Sequence, residues 1–106
     1  MKKPKRPRTE RREHERALRK LVQDQQRLAE LEPGGSPARP IQVVSSSVIP
    51  VRARSMRCPL CDGAVRFDEE SAERIEGRSL RAAHVVCQSC GVARRWWFEI
   101  APPLPS

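Results

Sequence analysis

The chain has 106 residues, enough for one small domain with appendages but too few for a large hydrophobic core. It carries 21 lysine and arginine residues against 13 acidic residues, and its formal net charge of +8 makes an anionic partner the first expectation. No apolar run follows the basic amino terminus, so a secretory signal peptide is not indicated. We therefore expect a cytoplasmic protein that does not bind membranes.

The positive charge is concentrated at the amino-terminal end of the chain. Residues 1–31 hold eleven basic and five acidic residues, whereas residues 58–106 hold six basic and seven acidic residues. Residues 1–8 are predicted to be a disordered basic tail, because two prolines interrupt a helix and like charges repel one another. Electrostatic attraction to nucleic acid is predicted for five side chains of this tail: Lys2, Lys3, Lys5, Arg6 and Arg8.

An amphipathic helix is predicted over residues 9–32. Thr9 is a suitable N-cap, and no glycine or proline follows until Pro33. The apolar residues recur mostly at steps of three and four. They are Ala17, Leu18, Leu21, Val22, Leu28, Ala29 and Leu31. Because so short a chain offers this stripe little to pack against, residues 17–31 are predicted to dock on a protein partner.

Residues 33–56 are predicted to form a flexible linker, because glycine, serine and proline recur through the first part of the segment. Residues 41–44 and residues 48–49 are nevertheless strand-like in composition. Two alternatives stay open for these short runs: both are disordered with the linker, or one of them adds an edge strand to the sheet that follows, and partial order is favoured.

All four cysteines of the chain lie in two C-x2-C motifs separated by twenty-five residues. Two residues between cysteines let a turn aim both sulfurs at one point, and glycine beside the turn can take a positive φ. Four thiolates around one ion form a closed structural zinc site. The predicted zinc ligands are Cys58, Cys61, Cys87 and Cys90.

Other uses of four cysteines fit this chain less well. A disulfide framework needs an oxidising compartment, and a thioredoxin-like site uses a single C-x-x-C next to a βαβ pattern. Iron in a tetrahedral sulfur site stays open as an alternative to zinc, since four thiolates suit either metal. The basic composition and the absence of tyrosine are unlike rubredoxin-like iron proteins.

Three strands are predicted around the cysteine motifs, over residues 64–67, 80–86 and 93–100, with residues 68–77 as a hairpin excursion or a single helical turn. With Gly63 and Gly91 beside the cysteine pairs and strands in this order, residues 57–100 resemble the zinc-ribbon superfamily. The resemblance implies a small zinc-stabilised β domain, a three-stranded zinc ribbon, after a basic N-terminal helix and a linker. Residues 101–106 are predicted to be a proline-rich tail.

The resemblance is specific for a fold and says little about function, because zinc ribbons occur in transcription factors, RNA polymerase subunits and ribosomal proteins. Four thiolates leave no coordination position for water or substrate, and no Walker loop, G-x-S-x-G or H-E-x-x-H motif is present. The chain is therefore predicted not to be an enzyme. His84 is predicted to be a strand side chain and His14 a solvated helix residue, so neither is expected to bind the metal.

Two adjacent tryptophans give a further prediction. Strand alternation places Trp96, Phe98 and Ile100 on one face of the last strand, and Arg95 and Trp97 on the other. If Trp97 is exposed beside Arg95, the pair could stack on a base or anchor an interface. The alternative is that Trp97 packs on the helix or on residues 41–49.

Three functions follow from these features. The first is a nucleic-acid-associated binding protein that uses the basic arm, although the same arm could merely solubilise the chain. The second is a protein-interaction adaptor that uses the helix and the zinc ribbon. The third, less favoured, is a redox switch in which oxidation of the thiolates ejects zinc.

Overall fold

The computed structural model describes residues 7–101, so the predictions for Lys2, Lys3, Lys5 and Arg6 and for the tail after residue 101 lie outside the described residues. The described part contains two helices and four strands. They are α1 (Pro7–Leu31), β1 (Ile41–Val43), α2 (Val48–Ser55), β2 (Val65–Ile75), β3 (Arg78–Cys87) and β4 (Ala93–Ile100). Neither helix in this part of the chain is long and apolar enough to cross a membrane.

The four strands form one mixed sheet in the order β1-β4-β3-β2. The β2–β3 and β3–β4 pairs are antiparallel, while β1 runs parallel to β4. The three strands predicted around the cysteines are all present in this sheet. The fourth strand, β1, comes from the segment that was predicted to be a linker.

Helix α1 begins at Pro7, two residues before the predicted cap at Thr9. Proline is tolerated there because the first-turn N–H groups have no partner within a helix. At the other end of α1, Arg39 Nη1 donates to the carbonyl oxygen of Leu31 at 3.1 Å. Ala29 is the one buried residue of α1.

Of the two strand-like runs, residues 41–43 form the edge strand β1, whereas residues 48–49 are helical despite their strand-like composition. They form the first turn of α2, in which Pro50 is tolerated for the same reason as Pro7. Ile49 and Ala53, four residues apart and thus on one face of the helix, are both 0% exposed. Burial of this face against the sheet explains why the segment is a helix despite its β-branched residues.

Residues 68–77 form the outer part of the β2–β3 hairpin, so the hairpin alternative is confirmed and the alternative of a helical turn is wrong. The pairing is irregular between Phe67 and Glu69, which accommodates Asp68 as an extra residue. At the tip, Glu76 and Gly77 both have positive φ, 48° and 78°, as a two-residue type I′ turn requires. The long hairpin follows from this turn, which was not identified from the sequence.

The sheet buries side chains on both faces. The larger cluster lies between one face and α2, and it includes Ile49, Val85, Trp96 and Phe98 together with Cys58 and Cys87. The smaller cluster lies on the opposite face and consists of Leu80, Ala82 and Trp97, with Ile75 packed against it. The predicted alternation of the two tryptophans is therefore correct, and both faces of β4 are part of a core.

Exposure of Trp97 is contradicted, since only 5% of this residue is accessible. Its neighbours are side chains of β2 and β3 rather than the helix or residues 41–49. The backbone N–H of Trp97 donates to the carbonyl oxygen of Gly34 at 2.8 Å, and the guanidinium of Arg95 lies 5.1 Å from the centre of the indole ring. Trp97 is thus a structural side chain that Arg95 helps to cover.

Candidate metal centre

The two cysteine turns have the same backbone geometry. In each, the residue four positions after the first cysteine donates its N–H to the carbonyl oxygen of that cysteine. Asp62 donates to Cys58 at 2.8 Å, and Gly91 donates to Cys87 at 3.0 Å. Asp62 and Gly91 also have the positive φ angles of their turns, 61° and 76°. The repeated geometry aims two sulfurs from each turn toward one point.

Gly63 is needed for space rather than for a positive φ, which corrects the expectation drawn from the sequence. A Cβ atom at this position would lie 2.7 Å from Ser89 Oγ and 3.1 Å from Cys61 Sγ. The first turn therefore approaches the second so closely that a side chain at position 63 would separate them. The positive φ falls on Asp62, a residue type that tolerates this conformation better than most.

The β2–β3 hairpin brings the two turns together. Val65, which follows the first turn, is the register partner of Cys87, the residue at which β3 enters the second turn. The N–H of Gln88 then donates to the carbonyl oxygen of Ala64 at 2.9 Å. Twenty-five intervening residues thus form a hairpin whose open end holds both cysteine pairs.

The four sulfurs form a compact group whose members all lie within 4.8 Å of one another. Cys58 Sγ and Cys90 Sγ are 3.7 Å apart, and Cys61 Sγ and Cys87 Sγ are 3.4 Å apart. A tetrahedral zinc ion with Zn–S bonds of about 2.3 Å requires sulfurs separated by about 3.8 Å. The donor set and its spacing therefore fit a tetrahedral metal ion. All four predicted ligands are brought together.

The site has a buried side and an exposed side. Cys58 and Cys87 are buried and belong to the larger core cluster, while Cys61 and Cys90 are exposed. An ion held by these sulfurs would join the hydrophobic core to the tips of the two turns.

Backbone amides and neighbouring sulfurs shift the pKa values of two of the four thiol groups. The N–H groups of Cys90 and Ser89 each lie 3.4 Å from Cys87 Sγ and donate to it, as expected for the surroundings of a thiolate ligand. These donors, Cys90 first, lower the pKa of Cys87 to about 6. The neighbouring Cys87 sulfur raises the pKa of Cys61 to about 12, which the backbone of Gly63 partly opposes.

The remaining predicted site residues lie away from this centre. Arg8 is exposed on α1. Arg95 and Trp97 lie on the sheet face opposite the cluster that contains Cys87. His84 Nε2 is 2.9 Å from the hydroxyl oxygen of Ser71. Within residues 7–101, the group that could hold a metal ion consists of Cys58, Cys61, Cys87 and Cys90, and neither histidine belongs to it.

A cleft of about 600 Å³ next to the first cysteine turn was not foreseen from the sequence. It separates the carboxyl end of α1 from residues 56–62. Its apolar lining includes Ala29, Pro33, Met56, Pro59, Leu60 and Trp96. The Pro-Gly-Gly turn at residues 33–35 was the one sequence signal that the chain changes direction after the helix, and it does not specify toward which segment.

The chain was compared with protein-family models, with curated proteins and with solved structures, and none of them matched. The metal site is therefore assigned from its own geometry.

Proposed function

We propose that this chain is a non-enzymatic zinc-binding protein of the zinc-ribbon type, with Cys58, Cys61, Cys87 and Cys90 as ligands of one structural zinc ion. The spacing of the four sulfurs carries this proposal, together with two cysteine turns of the same geometry on adjacent strands. Zinc binds four thiolates in a tetrahedral arrangement and does not change its oxidation state. A reducing compartment such as the cytoplasm would keep the four thiols available.

The closed ligand set supports a structural role for the ion rather than a catalytic one. A catalytic zinc ion needs a coordination position for water or substrate, and four thiolates fill a tetrahedron. With two cysteines in the core, the ion would instead fix the open end of the β2–β3 hairpin against β4.

We further propose that the basic amino-terminal arm attracts nucleic acid. Residues 2–8 contain five basic side chains and no acidic one. Residues 7–8 already belong to α1, most of whose residues are exposed, including Arg8, Arg11 and Arg12. The zinc-ribbon part has a formal charge of −1 before any metal is counted, so phosphate attraction is assigned to the arm and the start of α1.

Deletion of residues 2–6 tests this role without entering α1. Four positive charges are lost, so the log–log slope of affinity for duplex DNA against salt should become shallower by at most about 3.6 units. Affinity should be measured by fluorescence anisotropy from 25 to 200 mM salt, with duplex DNA and structured RNA. A slope that the deletion leaves unchanged, or no binding at low salt, would contradict the proposal.

An adaptor role is the second candidate function, and the exposed apolar side chains of α1 favour it. Leu18, Leu21, Val22, Leu28 and Leu31 are all exposed. Such a row on one helix is typical of a surface that another polypeptide covers. Capture of partners from cell extract should be compared between the intact chain and a Leu21→Lys/Leu28→Lys variant. Equal capture by both proteins would count against this candidate.

A further inference from the structure

Four leucines of α1 form an apolar row, here called the leucine stripe, that stays open to solvent within residues 7–101. Its members are Leu18, Leu21, Leu28 and Leu31, and each is between 48% and 64% exposed. At 100° per residue they occupy one side of the helix, whereas Ala29, the residue that α1 buries against the rest of the chain, lies at the margin of that side. The stripe is therefore accessible to another helix.

The order of residues in the stripe is symmetric about the point between Asp24 and Gln25. Leu21 and Leu28 lie at equal distances from that point, and so do Leu18 and Leu31. The spacing of the four leucines is therefore the same in both directions along the helix. A two-fold antiparallel pairing of two such helices would set each leucine level with a leucine of the other copy.

We propose that a second copy of this chain covers the leucine stripe, with the two α1 helices antiparallel. This gives a specific partner to the interaction surface proposed for α1. At the centre of the pair, Asp24 is level with the partner's Gln25, whose amide N–H can donate to the carboxylate, and the two-fold axis repeats this contact. A parallel pair would instead set two Asp24 carboxylates against each other.

The distribution of charge also favours the antiparallel arrangement. A parallel pair would place two amino-terminal segments side by side, each with five basic residues over residues 2–8. In the antiparallel pair the amino-terminal half of one helix extends past the partner's Leu31, toward the cleft beside the partner's first cysteine turn. A zinc ion with four thiolates would carry a charge of −2, and the charged side chains that line the cleft, Glu32, Arg57 and Asp62, add −1. The basic half of one copy thus meets the negative part of the other.

The cleft continues the apolar surface of the stripe. Its lining includes Ala29 of α1 together with Pro59 and Leu60 of the first cysteine turn. Alignment about the central point brings the partner's Leu18 and Ala17 level with residues 31 and 32, at the edge of this cleft. The partner helix would therefore cover the carboxyl half of the stripe and the cleft at once.

The oligomeric state of the zinc-loaded full chain, freed of nucleic acid by nuclease, tests the proposal. Sedimentation equilibrium from about 1 to 500 µM should show a dimer whose Kd rises about 100-fold in Leu21→Lys, because a two-fold interface loses the contact twice. The control is Gln23→Lys, an exposed position on the opposite side of α1 that adds the same charge. It should leave Kd within about threefold of the wild-type value, as a substitution outside an interface does.

Orientation is tested by zero-length carbodiimide cross-linking of the dimer. Lys20 and Glu32 lie about 18 Å apart along one chain but are close between antiparallel copies. We expect this cross-link in the wild-type dimer and its loss in Leu21→Lys. A dimer without the cross-link contradicts the antiparallel pairing.

A chain that stays monomeric at about 500 µM overturns the proposal, as does one whose stripe captures only a different protein. Zinc content and DNA affinity are measured on the same samples. Failure of the dimer proposal can then be distinguished from failure of the proposed zinc site or of the proposed role of the basic arm. A monomer that holds one zinc ion would refute the dimer and leave the proposed zinc site standing.

Discussion

Trp97 on β4 lies directly opposite Ala82 on β3, and both side chains are buried on the sheet face that α2 does not cover. The small alanine leaves room for the indole next to Leu80. A sheet of four strands thereby obtains a second core cluster without a second layer of helix. This pair explains how a short chain places two adjacent tryptophans, which must point to opposite faces, without exposing either.

Trp97→Ala should therefore lower the free energy of unfolding by about 3–5 kcal/mol, the usual cost of truncating a large buried aromatic side chain. Trp96→Ala should be similarly destabilising, because Trp96 belongs to the cluster beneath α2. Arg95→Ala is the matched control and should cost no more than about 1 kcal/mol, the value of an exposed cation–π contact. Urea denaturation of the zinc-loaded proteins measures all three. A Trp97→Ala protein of wild-type stability would show that the indole is not part of a core.

Gly63→Ala should weaken zinc binding by about 10–100-fold, comparable to the loss of a group that orients a metal ligand. The added methyl group would collide with Ser89 and push the two cysteine turns apart. Affinity is measured by competition with a chromophoric chelator. Replacing Ser89 with glycine in the same protein should restore part of the lost affinity.

Gly77→Ala is the control for this substitution. It also strains the backbone, by about 1–2 kcal/mol, but a Cβ at Gly77 meets no atom within 4 Å and the turn is at the far end of the hairpin. Its zinc affinity should stay unchanged. Equal zinc affinities in the Gly63 and Gly77 variants would disprove the close contact between the two cysteine turns.

Cys87→Ser should unfold the sheet while helix α1 largely persists. The substitution removes a metal ligand and a buried member of the larger core cluster, and zinc supplies about 10–16 kcal/mol of apparent binding energy in small domains. Circular dichroism and amide NMR spectra distinguish the two parts of the chain. Ser89→Ala alters the same turn without removing a ligand and should retain the native spectrum. A folded, zinc-free Cys87→Ser protein would show that the sheet does not depend on the metal.

The parts of the site that could be predicted from the sequence are those that local spacing determines. Two residues between cysteines define each turn, and alternation along β4 assigns Trp96 and Trp97 to opposite faces. The structure agrees with both predictions. The sequence did not show that Asp62 takes the positive φ while Gly63 is needed for space. Either residue of an Asp-Gly pair can take the left-handed conformation.

The parts that could not be predicted depend on contacts between distant segments. Residues 48–55 have β-branched residues and a proline, and they are helical because Ile49 and Ala53 bury against the sheet. Exposure of Trp97 could not be excluded from its own strand, since its neighbours Leu80 and Ala82 come from β3. The cleft beside the first cysteine turn likewise depends on where α1 ends in space.

The metal content and coordination of the purified protein test the central claim most directly. The four sulfurs lie within 4.8 Å of one another, so we predict one zinc ion per chain. Elemental mass spectrometry of the acid-digested protein measures this metal content. X-ray absorption at the zinc edge should show four sulfur ligands at about 2.3 Å. One equivalent of iron in place of zinc would support the four-cysteine metal site but contradict the assignment of zinc. Less than about a tenth of an equivalent of either metal would contradict the metal centre itself.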